Sequence, residues 1–158
     1  MSPRPRPRHS GTEGRLFAAL HERLGRDRGA SPPDWLFLVE PEIRSEPNLT
    51  RLVPDVAGWR RSTSGWPDLD RTPIEVVPDW VAEVLSPSTE AADRGEKLGA
   101  YGAIGVGWLS LVDCERRRVE TLVNVRGQMV PEQVFESGDA RRRAPFETES
   151  LPLASFIL

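Results

Sequence analysis

PDWVAEVLSPSTEAADRGEKLGAYGAIGVGWLSLVD, residues 78–113, is the stretch on which the fold turns. Its opening WVAEVL (80–85) is apolar apart from one carboxylate, the pattern of a central strand covered on both faces. The chain then passes from loop to helix, with Leu98, Tyr101 and Ile104 on one face, Lys97 at the start and Gly105 at the end. GWLSLVD returns as a strand. Outward from this unit, RLVPDVAGW (51–59) is a short apolar strand holding Asp55, and WLFLVEPEIRS (35–45) is an extended strand entered through the breaker cluster of residues 30–34. Residues 60–75 are polar and loop-like, fitting either a hairpin connection or a surface excursion.

Leu16, Ala19, Leu20 and Leu24 recur at helical spacing and predict an amphipathic helix over about 13–26, with Thr12 as its N-cap and Gly29 beyond its end. Residues 1–11 alternate Pro with Arg4, Arg6 and Arg8, which we read as a disordered tail, solvated rather than engaged with phosphates. Downstream, RRRVETLVNV, a turn at Gln128-Met129 and VPEQVFES suggest an antiparallel meander, and LPLASFIL is an apolar closing segment. Residues 12–158 are expected to form one domain of α/β (α+β) class: a mixed central sheet flanked by helices, with a C-terminal antiparallel meander.

At 158 residues with 38% hydrophobic and 28% charged side chains, the chain has material for one ordinary core. A single cysteine, Cys114, excludes an internal disulfide and a cysteine-based zinc site. No apolar run approaches the roughly 20 residues a membrane span needs, and residues 1–10 lack the apolar stretch of a secretory signal, so cytoplasmic residence is expected. The net charge of −3 gives no global attraction to nucleic acid, although a carboxylate metal site is itself acidic and a local basic strip can coexist with it.

Asp55 and Glu83 stand out because each is embedded in an apolar strand, where a carboxylate is costly unless it is paired, hydrogen-bonded or bound to a metal. Their separation of 28 residues allows neighbouring strands to bring them side by side, and hard oxygen ligands suit Mg²⁺ or Mn²⁺. Lys97, 14 residues after Glu83, could reach back to the strand ends. Together they supply what metal-assisted phosphodiester cleavage requires: carboxylates to hold an ion, the ion to polarise phosphate and water, and an ammonium to steady the charge. The plain alternative makes Asp55 a turn residue, pairs Glu83 with an arginine and leaves Lys97 solvated.

VPDVAGWRR (53–61), PDWVAEVLSPSTEAADRGEKLGAYGAIGV (78–106) and LSLVD (109–113) resemble the Uma-two family of restriction-endonuclease-like domains, within the PD-(D/E)XK nuclease superfamily. The resemblance is strong over about residues 35–113 and looser through the C-terminal meander. The run EVLSPST followed by Asp93, Lys97 and Tyr101 carries more information than a lone Pro-Asp, which Pro78-Asp79 also supplies. The resemblance implies a restriction-endonuclease-like fold and a Mg²⁺- or Mn²⁺-dependent endonuclease acting on DNA. It makes Asp55 and Glu83 the metal ligands, with the main-chain carbonyl of Val84 or Leu85 assisting, and Lys97 the catalytic cation. The superfamily's usual lysine position, two after the glutamate, is Leu85 here, so Lys97 on the following helix takes its place.

Glu40, Glu42 and Glu13 are possible auxiliary acids, with Glu40 and Glu42 read as a solvent-facing pair. Ser86 and Ser88 are read as shaping the turn, His9 and His21 as surface residues, and Trp59, Trp66, Trp80 and Trp108 as packing. Ser110 stands where relatives often carry an aromatic. The alternative function is a non-catalytic binding or interaction module on the same fold. A homodimer is a further expectation, since enzymes that cut both strands often pair two sites.

Overall fold

A computed structural model of the chain describes residues 4, 6–29, 31–47, 49–87, 93–136, 142–143, 145–150 and 155–158. Helix α1 spans Pro7–Leu20 and runs on into a π-helical turn, His21–Gly25. Six strands follow in one sheet: β1 (Trp35–Val39), β2 (Val56–Arg60), β3 (Trp80–Leu85), β4 (Trp108–Asp113), β5 (Arg118–Val125) and β6 (Gln128–Glu136). Between β3 and β4 lie a π-helical turn, Asp93–Lys97, and helix α2, Leu98–Ile104. A small second sheet pairs β7 (Arg142–Arg143) with β8 (Phe146–Ser150). Neighbours in the main sheet are antiparallel except β3 and β4, which run parallel because α2 intervenes. The mixed sheet with helices and a closing meander is the architecture the sequence implies.

All six residues of β3 are buried, as a strand flanked by β2 and β4 and covered on both faces must be. Alternation divides them. Trp80, Ala82 and Val84 join the cluster of Leu16 and Leu20 from α1, whereas Val81 and Leu85 join that of Tyr101 and Ile104 from α2. Each fully buried aliphatic side chain contributes about 1.5–3 kcal/mol, so these clusters fix which face each neighbouring polar residue takes.

Helix α1 begins at Pro7, six residues before the expected start, so the proposed tail of residues 1–11 ends inside it. Proline is tolerated in the first helical turn because its missing N–H would have no helical partner there. Thr12 is consequently not a cap: it is buried, and its hydroxyl accepts hydrogen bonds from the Leu158 amide and the Cys114 thiol, both at 3.3 Å. Helix α2 ends as expected on Gly105, whose φ of 96° lies in the left-handed region. The meander turn is Arg126-Gly127 rather than Gln128-Met129. Both turn residues have positive φ, 53° and 86°, matching the twist of a two-residue hairpin.

Two contacts hold α2 in place. The Asn124 amide donates to the carbonyls of Gly102, 3.0 Å, and Val106, 2.8 Å, closing the helix end. Gly102 packs so closely that a Cβ there would lie 2.5 Å from the Gly127 carbonyl oxygen. The Ser110 hydroxyl accepts the Trp80 indole N–H at 2.9 Å, which satisfies a buried donor. Among the described residues no helix is long and apolar enough to cross a membrane.

Candidate metal and nuclease centre

The candidate residues gather where β2 and β3 part. Their antiparallel pairing ends at Val56↔Ala82, leaving the β2-facing backbone of Val84 without a strand partner. Asp55, the residue before β2, takes over: its Oδ2 accepts the Val84 amide at 2.6 Å, while its own carbonyl accepts the Glu40 amide at 3.0 Å. Asp55 thus holds the strand fork and faces into it, its side chain 15% exposed.

Glu83 points to the α2 side. It is 2% exposed, and Lys97 Nζ lies 3.1 Å from each of its carboxylate oxygens. The Tyr101 hydroxyl donates to Oε1 at 2.5 Å. The sequence-derived pair of Glu83 and Lys97 is therefore brought together, with Tyr101 added from one turn further along the helix. Lys97 keeps 35% of its side chain exposed, whereas Glu83 is almost wholly enclosed.

On the other side of the fork α1 contributes two residues. Glu13 is 6% exposed, and its Oε2 lies 3.8 Å from His9 Nδ1. His9 Nε2 lies 3.4 Å from Asp55 Oδ2. His9, Glu13 and Asp55 each offer a ligand atom within 4.8 Å of the others, a group able to hold a metal ion. The expectation that His9 is a surface residue fails: its side chain is 13% exposed and faces two carboxylates. The misplaced start of α1 hid this, because His9 and Glu13 share a face only if residue 9 is already helical.

The electrostatics register the crowding. Burial, with the charges of Asp55 and Glu40 adding to it, pushes the Glu13 carboxyl up to about 7, against the smaller opposing effect of His9. His9 is raised, chiefly by its hydrogen bond to Asp55 and against the cost of burial, with Glu13 and the Val84 carbonyl adding smaller contributions. Carboxylates closing on one point with only an imidazole among them leave room for positive charge. The donors, two carboxylates, an imidazole and the Val84 carbonyl nearby, fit a divalent cation.

The other expected residues divide. Glu40 is exposed and lies close enough to raise Glu13, but its φ of 47° breaks the strand before alternation can carry to Glu42. Glu42 is half-buried against Arg51, 3.1 Å, and Arg44, 3.7 Å, so the two are not a solvent-facing pair. His21 is exposed, stacked on Phe17, and Ser88 lies outside the described residues. A cavity of about 380 Å³ opens beside the site, lined in part by Arg6, Arg8, His9 and Ser86.

Comparison with known proteins bears on the family and the fold. The family model described as "Uma2: Putative restriction endonuclease" matches residues 1–154. A solved structure described as "a putative nuclease belonging to DUF820" from Anabaena variabilis ATCC 29413 is similar in fold, with a TM-score of 0.74 at 18% identity, covering 99% of this chain and 84% of that one. No curated protein matches the chain.

Proposed function

The chain belongs to the Uma2 family, and on that footing we propose that it is a divalent-metal-dependent nuclease hydrolysing phosphodiester bonds in DNA. The observation that carries the proposal is the convergence of Asp55, Glu13 and His9 at the strand fork beside Val84, one residue from the Glu83–Lys97 pair. A scaffold that had lost catalysis would be free to relieve this concentration of partly desolvated acids, and this one retains it.

In this reading Asp55 and Glu83 are the acids of the active site, and Mg²⁺ or Mn²⁺ is the ion they hold. Asp55 and Glu13 hold it from the fork, the Val84 carbonyl assists, and Glu83 closes the site from the α2 side. The ion, when bound, acts as a Lewis acid on a phosphoryl oxygen and makes water more acidic. Lys97 steadies the negative charge that develops on the phosphate, and Tyr101 fixes the Glu83 carboxylate by its hydrogen bond. Arg6 and Arg8, exposed on the wall of the adjoining cavity, are placed to meet backbone phosphates, so local basic charge offsets the acidic total.

Incubation of the purified protein with supercoiled plasmid, with Mg²⁺, Mn²⁺ or EDTA, tests the proposal beside Asp55→Ala, Glu83→Ala and Lys97→Ala. Metal-dependent nicking by the wild type, lost in all three folded variants, is expected. Nicking retained by Asp55→Ala or Glu83→Ala would overturn the assignment.

A further inference from the structure

We infer that His9 is a direct ligand of the ion at the strand fork, and that it makes the site prefer a first-row transition metal such as Mn²⁺ to Mg²⁺. The inference rests on the metal-site reading above and adds the identity of the cation.

The donors gather around a common point, with His9 held to Asp55 by no more than a long hydrogen bond. His9 Nε2 to Asp55 Oδ2 is 3.4 Å and His9 Nδ1 to Glu13 Oε2 is 3.8 Å, both longer than ordinary hydrogen bonds. In an octahedral shell with bonds of about 2.1 Å, adjacent donors sit roughly 3.0 Å apart and opposite donors roughly 4.2 Å. An imidazole gives an ion only one of its nitrogens, so the two separations are alternatives, Nε2 beside Asp55 or Nδ1 beside Glu13. Each falls between those limits, and with one ligand atom from each residue the three lie within 4.8 Å of one another. His9 Nδ1 is buried and makes no hydrogen bond, although a buried ring nitrogen ordinarily finds a partner. Helix α1 sets the ring: His9 stands in its first turn, one turn before Glu13, so the imidazole and the Glu13 carboxylate project along one face towards Asp55.

The donor chemistry then selects the ion. Mg²⁺ takes oxygen ligands and gives up its water reluctantly, so an imidazole adds little to its binding. Mn²⁺ accepts both carboxylate oxygen and imidazole nitrogen, and the later first-row ions favour nitrogen more strongly still. A site of two carboxylates and a carbonyl alone would not distinguish the two ions in this way.

The test is Mn²⁺ and Mg²⁺ titration of the full chain by calorimetry, for the wild type, His9→Ala and His9→Gln, with pulsed electron paramagnetic resonance of the bound Mn²⁺. Removing a group that merely orients a ligand often costs about 10–100-fold in affinity, so loss of a ligand should weaken Mn²⁺ at least about tenfold. Mg²⁺ should stay within about threefold. The wild-type Mn²⁺ spectrum should show nitrogen-14 coupling that both variants lose. If His9 serves only as a counter-charge to Asp55 and Glu13, its removal leaves Mn²⁺ and Mg²⁺ changing together and the wild-type spectrum free of that coupling, which overturns the inference while the metal site stands. Absence of any Mn²⁺ binding by the wild type would overturn both. The wild-type spectrum decides the question even if a variant fails to fold.

Discussion

On the two sides of the β3 terminus, buried carboxylates are satisfied in different ways. On the α2 side, Glu83 is completed by the protein: a lysine ammonium reaches both oxygens and a tyrosine hydroxyl bonds one of them. On the α1 side, Asp55 and Glu13 face each other across His9, and the Glu13 carboxyl is forced up to about 7. A buried charge with its own partners is a finished structure. A buried cluster short of positive charge binds protons, or a cation that replaces them. On the proposed reading, the α2 side offers the ion a carboxylate already fixed by Lys97 and Tyr101, and the α1 side offers donors still short of positive charge.

The largest effect that could break this comparison is on cleavage. Replacing Asp55 or Glu83 by Ala should lower metal-dependent nicking at least about 10²-fold, the scale on which loss of one preorganised electrostatic group acts. Equal activity in either variant, assayed on plasmid, would remove that side from the reaction.

The pH dependence of stability comes next. Glu13 rises from 4.5 to about 7 on folding, so between those values the folded state binds more protons than the unfolded, and stability falls as pH rises. His9 is also raised above its ordinary value, so its contribution is present at low pH and is likewise lost as pH rises through its folded pKa. Metal-free protein should therefore lose stability between about pH 5 and 8, on the order of 3 kcal/mol from Glu13. Urea denaturation across that range checks the slope. Saturating Mn²⁺ should flatten or reverse it, and a slope indifferent to metal would contradict the division between the two sides.

Metal binding should also appear as heat resistance. An ion at about 100 times its dissociation constant adds about 2.7 kcal/mol, or roughly 5–10 °C in Tm for a chain of this size. Glu13→Gln should lose most of that shift in a thermal melt. Gly102→Ala sharpens the other side: its Cβ meets the Gly127 carbonyl, so about 1–3 kcal/mol of stability should be lost, while Mn²⁺ affinity, set across the fork, changes little. Smallest is Ser110→Ala, which strands the Trp80 indole N–H and should cost about 1 kcal/mol with cleavage of the folded protein unchanged.

The sequence by itself determined the central unit. A six-residue apolar run with one carboxylate, followed by Ser86-Pro87, has the length and pattern of a covered strand, and the helix and second strand after it follow from periodicity and a terminal glycine. The same pattern exposed Asp55 and Glu83 as costly, and Lys97 as a cation within one helix turn of Tyr101. Only the tertiary structure decided what faces Asp55. His9 and Glu13 precede it by more than forty residues, and nothing in their local pattern marks them. They become neighbours because Leu16 and Leu20 of α1 pack on Val84 and Ala82, which lays the first turn of the helix across the strand fork. Pro7 concealed that turn, since a Pro-Arg tract looks unstructured although proline is compatible with the first helical position. Spacing along a chain reports which residues share an element. Which elements meet is settled by the burial of their apolar faces, and here that burial assembled the donor set.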